Sequence, residues 1–251
     1  MIEIFLGLIV GLTAVLYVMF KAQLAGLLLN LDAFILVLGG TLGATIITFP
    51  LGTLFNAVKA LTIIFFSRKK YSPERTIRDI VSIAERAHMD GITSLQDELP
   101  RMDKFLRDGL QMIIDGIPPQ VIRENLQKEI VFTRKRHEQV SNVFRSMGTY
   151  APIFGLLGTL IGVVQVLKNI TDVKSLGVSM ALAVSTTLYG IFFTNFIFLP
   201  LAGKLDAISE EELLIKEVMI EGILAIQENE IPLIVQKRLE AFFSQKYRKK
   251  S

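Results

Sequence analysis

The sequence predicts an all-α membrane protein with four transmembrane helices, an interfacial helix and a helical cytoplasmic domain. The chain of 251 residues is 51% hydrophobic and has a mean hydropathy of +0.48. Its charged residues are concentrated in two stretches, 67–146 and 204–251. A bilayer core of about 30 Å requires about 20 apolar helical residues. Four uncharged runs meet this length and predict four spans: 4–20, 33–58, 146–167 and 175–203.

The first span is predicted to be retained in the protein. MIEIFLGLIVG has no basic leader and no evident small-residue cleavage site, so it differs from a cleaved signal peptide. The second apolar segment, 33–66, is too long for one span and too short for two. Pro50 disfavours helical geometry at Phe49, so we expect span two to cover about 33–50.

The stretch TLFNAVKALTIIFF, after this break, is predicted to be an amphipathic helix in contact with membrane lipid at the cytoplasmic interface. Asn56 and Lys59 would then point toward water. The alternative is a single long, tilted helix that continues through Pro50 and protrudes from the bilayer.

Basic residues near the span ends predict the orientation. RKK at 68–70 and RKRH at 134–137 favour a cytoplasmic large loop, because basic residues are enriched on that side. With four spans, both termini are then also cytoplasmic. The predicted organisation is two spans with the interfacial helix, a cytoplasmic helical loop, two further spans and a cytoplasmic helical tail: 1–66, 67–146, 147–203 and 204–251.

The loop and the tail are predicted to be helical throughout. PERTIRDIVSIAERAHM has apolar residues at helical spacing, with Pro73 suited to the first turn and Gly91 ending the helix. DELPRMDKFLRDGLQMIIDG predicts a second helix, and the segment from PPQVIREN onward predicts a long helix that continues into span three. EELLIKEVMIEGILAIQ predicts a tail helix, and no stretch shows convincing strand alternation.

The sequence lacks the residues that several classes of site and enzyme require. The absence of cysteine excludes disulfides and thiolate metal sites, and His88 and His137 lack metal-ligand spacing. GGTLG at 39–43 has no P-loop lysine, and no nucleophile of a hydrolase is marked. The net charge of +3 gives no indication of nucleic-acid binding. We therefore expect no metal, no cofactor and no enzymatic activity.

Glycines recur at the spacing that allows membrane helices to approach closely. The sequence contains three such pairs: Gly7 with Gly11, Gly39 with Gly43, and Gly158 with Gly162. These pairs predict a helix bundle or an oligomer.

The predicted spans contain no Asp, Glu, Lys, Arg or His at mid-membrane. Ion pathways usually require such a group. Either the chain moves no ions, or a partner helix supplies the carboxylate. The polar residues that could face a partner carboxylate are Thr159, Ser185, Thr186, Thr187 and Asn195. From the residues alone, the favoured interpretation is that the threonine hydroxyls bond carbonyls of their own helix or of a neighbouring helix.

Four stretches resemble the MotA/PomA family, the A subunits of bacterial flagellar stators. They are GGTLGAT (39–45), APIFGLLGTLIGVV (151–164), ALAVSTTLYGIFFTNFIFLPLAGKL (181–205) and EGILAIQENEIPLIVQKRL (221–239). The hydrophobic layout is similar over essentially the whole chain. The resemblance implies a pentamer in the bacterial cytoplasmic (inner) membrane around a dimer of a MotB/PomB-like B subunit, which supplies the ion-carrying Asp. Flow of H⁺ or Na⁺ then moves the ring, and the cytoplasmic loop pushes a FliG-like protein of the rotor C-ring.

The same resemblance implies roles for particular residues. By position, Thr159, Thr186 and Thr187 match residues of the family's ion pathway. Pro152 and Pro200 match two prolines that couple ion flow to motion in the family. Each proline frees a backbone carbonyl, which makes a hinge near a span end plausible.

The rotor-facing stretch AERAHMDGITSLQDEL (84–99) departs from the family pattern. The family commonly has Arg where this chain has His88, and Glu where it has Gln96. Nearby charges remain, so the expected rotor-facing residues are Arg86, His88, Gln96, Asp97 and Glu98. With His88 in place of Arg, the charge pairing could be weaker and more sensitive to pH.

Three alternatives remain open from the sequence. ExbB/TolQ-like energisers of outer-membrane processes have a single span before the cytoplasmic region, whereas two apolar segments precede it here. A membrane enzyme or small-solute transporter would need polar groups clustered at mid-membrane. A non-conducting membrane scaffold would differ from a stator by showing no ion conductance beside a B subunit.

Overall fold

The protein consists of helices, as the sequence predicts. The computed structural model describes residues 2–21, 29–66, 72–168 and 171–243, and these contain no strand. The α-helices are α1 (Ile2–Lys21), α2 (Leu31–Thr48), α3 (Leu51–Phe66), α4 (Pro73–Asp90), α5 (Lys104–Ile114), α6 (Pro119–Lys168), α7 (Val173–Phe192), α8 (Leu199–Gln227) and α9 (Pro232–Glu240). Two 3₁₀ turns, Ile92–Asp97 and Leu99–Arg101, follow α4, and a π-helical segment, Phe193–Phe198, joins α7 to α8.

The predicted break in the second apolar segment is confirmed. Helix α2 starts after Asn30, whose side chain accepts the Ala33 backbone N–H at 3.0 Å, and ends at Thr48. Phe49 is extended (φ −117°, ψ 141°), as a residue before proline prefers, and α3 begins directly after Pro50. The alternative of one long helix is therefore wrong. Asn56 and Lys59 are exposed on α3.

Three helical stretches in the described part of the chain have the length and hydropathy of membrane spans. They are Leu31–Thr48, a segment within Pro119–Lys168 and a segment within Ser175–Gln227. The apolar stretches Ile9–Lys21 and Leu51–Ile64 are shorter. The protein is thus a membrane protein, and the first of the four predicted spans stays a prediction. The basic residues at 68–70 and the chain after 243 lie outside the described residues.

The chain forms two compact units. Unit 1 contains Met1–Ser67 and Glu138–Asp206, and unit 2 contains Arg68–His137 and Ala207–Ser251. The predicted boundaries at 146/147 and 203/204 therefore fall inside unit 1. Helices α6 and α8 each contribute residues to both units.

Unit 1 has a core of apolar side chains from α2, α3, α6 and the π-helical region. Aromatic rings form much of it: Phe34 packs edge-to-face on Tyr189 and Phe193, and Phe193 also contacts Phe198. Phe34 itself remains 40% exposed. Edge-to-face contacts of this kind orient the rings as well as burying area. The aromatic cluster therefore fixes α2 against α7 and the π-helical segment.

Unit 2 has its own larger core. The predicted stripe on α4 is buried, with Ile77, Ile80 and Ala84 at most 5% exposed. It packs with apolar residues of α5, the first part of α6, the later part of α8 and α9. Ser72 caps α4 by accepting the Arg75 N–H, Pro73 occupies its first turn, and Gly91 ends it with φ +83°, as predicted.

Two helix boundaries differ from the sequence prediction. The helix expected from DELPRMDKF onward begins only at Lys104, because the Asp103 side chain caps it by accepting the Phe105 N–H at 3.0 Å. The residues before it form a 3₁₀ turn instead. The tail helix is not a separate element, since α8 runs without interruption from Leu199 to Gln227.

The buried Lys216 and the partly exposed Arg238 of unit 2 are both paired with carboxylates. The Lys216 ammonium lies 3.6 Å from Glu129, 3.9 Å from Glu212 and 5.0 Å from the centre of the Phe105 ring. Arg238 contacts the Glu221 carboxylate at 2.9 Å. Burial lowers the pKa of Arg238, but Glu221 and other nearby carboxylates outweigh it and raise this pKa above its ordinary value.

The imidazole of His137 makes the stability of unit 2 dependent on pH. Its Nδ1 lies 2.9 Å from the Ser209 hydroxyl oxygen. Burial lowers the His137 pKa; Glu212 opposes this, and Lys216 and Arg136 add to it. The folded protein thus favours the neutral ring. Its contribution to stability is complete above the ordinary histidine pKa of about 6.5 and is lost as the pH falls toward the lower folded value.

We therefore expect the thermal unfolding midpoint to fall between about pH 7.5 and about pH 5.5, and to fall less in His137→Gln. The matched control is His88→Gln, which removes an exposed histidine of the same unit and shows how much of any change comes from the loss of an imidazole as such. Scanning calorimetry at the two pH values measures the difference. An identical fall of the unfolding midpoint in wild type and His137→Gln would show that His137 does not cause the pH dependence.

Candidate functional site

Helices α6 and α7 approach each other so closely that their backbones touch. A methyl group added at Gly155 would lie 2.8 Å from the Thr186 carbonyl oxygen, and one at Gly162 would lie 2.8 Å from the Ser179 carbonyl oxygen. From the other side, one at Gly190 would lie 2.7 Å from the Ala151 carbonyl oxygen. Only glycine fits at such distances, as in other close membrane helix pairs.

This approach brings two of the three threonines that match the family's ion pathway into contact. The hydroxyl oxygens of Thr159 on α6 and Thr187 on α7 are 2.5 Å apart. The Ala183 carbonyl oxygen lies 3.0 Å from the Thr159 hydroxyl and 3.5 Å from that of Thr187. Thr159 is half-buried and Thr187 is exposed. Three oxygen atoms of this chain therefore converge at one place, and we call Thr159, Thr187 and the Ala183 carbonyl the oxygen cluster.

The number of protons in the oxygen cluster is smaller than the number of acceptors. The Thr159 hydroxyl lies within hydrogen-bond distance of the carbonyls of Gly155 (3.2 Å) and Ala183, and also of Thr187. A hydroxyl has one proton to donate and two lone pairs that accept. Thr159 can therefore satisfy one of these acceptors at a time, and lone pairs in the cluster stay available to an added donor or cation.

Thr186 has different surroundings. It is fully buried, and its hydroxyl lies 3.1 Å and 3.0 Å from the carbonyl oxygens of Leu182 and Ala183 in its own helix. Its side chain fills the space at Gly158, where an added methyl group would lie 2.4 Å from Thr186 Cγ2. The structure thus gives Thr186 a packing contact, whereas Thr187 on the next position is exposed.

The three predicted glycine pairs have different outcomes. Gly158 and Gly162 both form close contacts with α7, as the spacing predicts. Of the first pair, only Gly11 has such a contact, against the ring of Phe196. Gly39 and Gly43 face open space, and the neighbouring Gly40 packs against Phe154 instead. Gly39 and Gly43 therefore make no close packing contact within the chain, and the predicted alternative of an oligomer contact at this pair stays a prediction.

Of the two predicted hinge prolines, one lies inside a regular α-helix and the other follows the π-helical segment. Pro152 is inside α6 and half-buried, and Pro200 is the second residue of α8 and exposed. The π-helical segment ends at Phe198, two residues before Pro200, and no sequence pattern indicates it. The remaining polar candidates are Ser185, which is fully buried, and Asn195, which is exposed and donates to the Ile191 carbonyl at 2.9 Å.

The predicted rotor-facing residues belong to unit 2. Gln96 and Asp97 are exposed in a 3₁₀ turn, and His88 is exposed with its Nδ1 2.9 Å from Asn229 Oδ1. Arg86 and Glu98 instead form an ion pair with each other. That pair belongs to a groove of about 560 Å³ whose other charged residues are Arg75, Asp79, Arg101 and Asp103.

Comparison with known proteins is consistent with this arrangement. Residues 98–218 match the family model described as the MotA/TolQ/ExbB proton channel family. The chain is similar to the chemotaxis protein PomA of Vibrio alginolyticus, with 34% identity over 96% of this chain and 94% of that protein. This chain belongs to the MotA/PomA family. The role of this family is not enzymatic.

Solved structures of MotA-type stators have the same fold. The flagellar MotAB stator complex from Bacillus subtilis matches with a TM-score of 0.82 and 30% identity, and the match covers 88% of each chain. The C. jejuni MotAB structure matches with a TM-score of 0.88 over 97% of this chain and 96% of that chain. At 21% identity, this second likeness supports the fold only.

Because α6 and α7 lie so close together in this MotA/PomA family member, a methyl group added at their contact should lower the stability of the fold. We expect Gly190→Ala to destabilise the folded chain by about 1–3 kcal/mol, because the new Cβ meets backbone that cannot rotate away. Thermal unfolding of the detergent-solubilised protein measures the change.

The matched control is Gly203→Ala, also in a helix, where an added Cβ meets nothing within 4 Å. Alanine is the better helix former by up to about 1 kcal/mol, so this variant should be as stable as wild type or more stable. Equal stability of the two variants would contradict the backbone contact.

Proposed function

We propose that this chain is the A subunit of a flagellar motor stator. Together with a MotB/PomB-like B subunit, it forms an ion channel that converts proton or sodium motive force into torque on the rotor. The observation that carries the proposal is the oxygen cluster of Thr159, Thr187 and Ala183, which lies in a predicted membrane region without any carboxylate of its own. Membership of the MotA/PomA family supports the same conclusion.

The chemistry of the oxygen cluster complements a carboxylate from a partner. Hydroxyl and carbonyl oxygens bind Na⁺ as hard ligands, and they accept a hydrogen bond from a protonated carboxyl group. Neither group ionises, so neither can carry a charge through the membrane. An Asp on a partner helix supplies that charge, and the cluster solvates its loaded form beside the exposed Thr187.

The proposed assembly is a pentamer of A subunits in the bacterial inner membrane, with both termini in the cytoplasm and lipid around its apolar faces. Large apolar side chains remain exposed on α6 and α7, among them Leu156, Leu160 and Val184, and these need protein or lipid partners. The MotAB stator complex of Bacillus subtilis, as its name says, pairs an A chain with a B chain.

The proposed rotor contact uses unit 2. His88, Gln96 and Asp97 are exposed and available to a FliG-like rotor protein. Arg86 and Glu98 are paired with each other, so a partner that binds either charge must compete with this ion pair. Helix α6 carries Thr159 of the oxygen cluster, and its first part belongs to unit 2, the unit that contains the proposed rotor-facing residues.

Removing the hydroxyl of Thr187 tests the oxygen cluster. We expect Thr187→Ala to impair ion-driven swimming without preventing assembly with the B subunit, because the variant loses an acceptor for the partner carboxyl. A hydroxyl contact of this kind is worth about 1 kcal/mol, so a several-fold loss of ion flux is the expected scale. Swimming speed and the number of stators at each motor measure the two effects.

Thr187→Ser is the matched control, because it keeps the hydroxyl and removes only a methyl group. It should swim close to wild-type speed. Normal swimming by Thr187→Ala would show that this hydroxyl serves packing alone.

The proposal also predicts that the A subunit conducts nothing by itself. A ring of A subunits has hydroxyls but no carboxylate in the predicted spans, so no charged carrier is present. Purified A chains in vesicles should show no H⁺ or Na⁺ leak, whereas A with B should conduct. A large leak from A alone would overturn the partner-carboxylate argument, and no conductance with B would favour a non-conducting scaffold.

The transported ion is identified by a separate measurement. Swimming speed that rises with external Na⁺ and resists a protonophore assigns Na⁺, and speed that ignores Na⁺ but collapses with a protonophore assigns H⁺.

A further inference from the structure

Pro152 leaves one backbone carbonyl of α6 without its helical donor. In an α-helix, the N–H of residue i bonds the carbonyl of residue i−4, and proline has no N–H. The carbonyl affected by Pro152 is that of Gly148. An unpaired carbonyl in a buried or lipid environment is costly, so a donor from elsewhere is expected there.

Thr194 supplies that donor from the facing segment. Its hydroxyl donates to the Gly148 carbonyl oxygen at 2.9 Å, and the contact is buried, with Thr194 only 8% exposed. Other buried threonines behave differently: the hydroxyls of Thr41 and Thr45 donate to carbonyls of their own helix. Thr194 therefore makes a bond between two segments at the one α6 carbonyl that Pro152 deprives of a donor.

Small residues make this contact possible. A methyl group added at Gly148 would lie 3.0 Å from Leu199 Cδ2, and one at Gly190 would lie 3.1 Å from Pro152 Cα. The absence of both side chains lets the two backbones approach on either side of the Thr194 bond. A short threonine side chain then spans the remaining gap.

Thr194 also takes part in the backbone irregularity before Pro200. It lies in the π-helical segment Phe193–Phe198, and its own carbonyl accepts the Leu199 N–H, five residues later. Such π-helical turns occur often at functional sites. One residue thus bonds the carbonyl freed by Pro152 and forms part of the altered hydrogen-bond pattern next to Pro200.

We propose that Thr194 is a positioning residue that links the two prolines of the stator subunit. Its hydroxyl replaces the missing N–H of Pro152 and fixes the π-helical segment against α6. The role of this link in motion rests on the proposed function, whereas the hydrogen bond itself does not. When ion binding alters one proline region, the Thr194 bond transmits the change to the other.

The test is a double-mutant cycle on the complete complex with its B subunit. Thr194→Val keeps the shape and removes the hydroxyl, Thr194→Ser keeps the hydroxyl, and Pro152→Ala restores an N–H that can bond Gly148. We expect Thr194→Val to reduce torque per stator several-fold and to lower the unfolding midpoint of the purified complex. Thr194→Ser should retain most of the torque and most of the unfolding midpoint. In the Pro152→Ala background, adding Thr194→Val should reduce torque and midpoint only slightly more.

The matched control is Thr45→Val. Thr45 is also buried, but its hydroxyl donates to the Thr41 carbonyl, which the α2 helix already supplies with an N–H. A smaller loss in Thr45→Val than in Thr194→Val supports the proposal. Equal losses of torque and stability in Thr45→Val and Thr194→Val would overturn the proposal. So would a loss caused by Thr194→Val that is the same in the wild-type and the Pro152→Ala backgrounds.

Two further outcomes keep the test decisive. If Pro152→Ala prevents assembly, Thr194→Val is compared with Thr194→Ser instead. A Thr194→Ser complex that loses as much stability and torque as Thr194→Val would count against the proposal. If the wild-type complex gives no swimming at all, the proposed motor function fails. The stability cycle then still tests the hydrogen bond independently.

Discussion

The contact between the α6 and α7 backbones is the constraint on which the rest of unit 1 depends. Glycines at 155, 162 and 190 remove the side chains that would hold the two helices apart, so carbonyl oxygens of one helix lie within 3 Å of positions where the other has no Cβ. Larger side chains at these positions would hold the helices further apart, and the Thr159 and Thr187 hydroxyl oxygens would no longer lie 2.5 Å from each other. The closeness of the helices therefore creates the oxygen cluster.

The same closeness divides the polar residues of the two helices into different roles. Thr186 fills the space left by Gly158, and its hydroxyl lies 3.0 Å from the same Ala183 carbonyl that Thr159 contacts, so it reaches the oxygen cluster from the buried side. Thr187 lies one position further and is exposed beside Thr159. Neutral oxygens at an exposed position in a lipid-facing helix are stable without a counter-charge, whereas a carboxylate there would be costly. The carboxylate that we propose a partner supplies would avoid that cost in the unassembled subunit.

Unit 2 follows the rules of a soluble helical domain. Its core joins five helices through fully buried aliphatic residues such as Ile80, Leu110 and Ile223. Charges near this core are paired, as Lys216 is with Glu129, because a buried ion without a partner is strongly destabilising. The exposed residues that we propose for a rotor contact lie near the end of α4 (His88) and on the 3₁₀ turn after it (Gln96 and Asp97). The differences from the family pattern at His88 and Gln96 occur at such exposed positions.

The amino-acid sequence alone predicts the helical class, the break at Pro50, the two ends of α4 at Pro73 and Gly91, the lack of a carboxylate in the predicted spans and the family. These follow from local composition, from proline and glycine geometry, and from motifs that are contiguous in the chain. It did not determine the start of α5, the π-helical segment, the open surroundings of Gly39 and Gly43, or which threonine faces which neighbour. Thr194 could have been suspected, since Pro152 marks the Gly148 carbonyl, but its identity required the antiparallel register of α6 and α7. These points depend on the tertiary structure. Which acceptor a hydroxyl bonds is set by the distance between two helices, and that distance cannot be calculated from the spacing of residues along one helix.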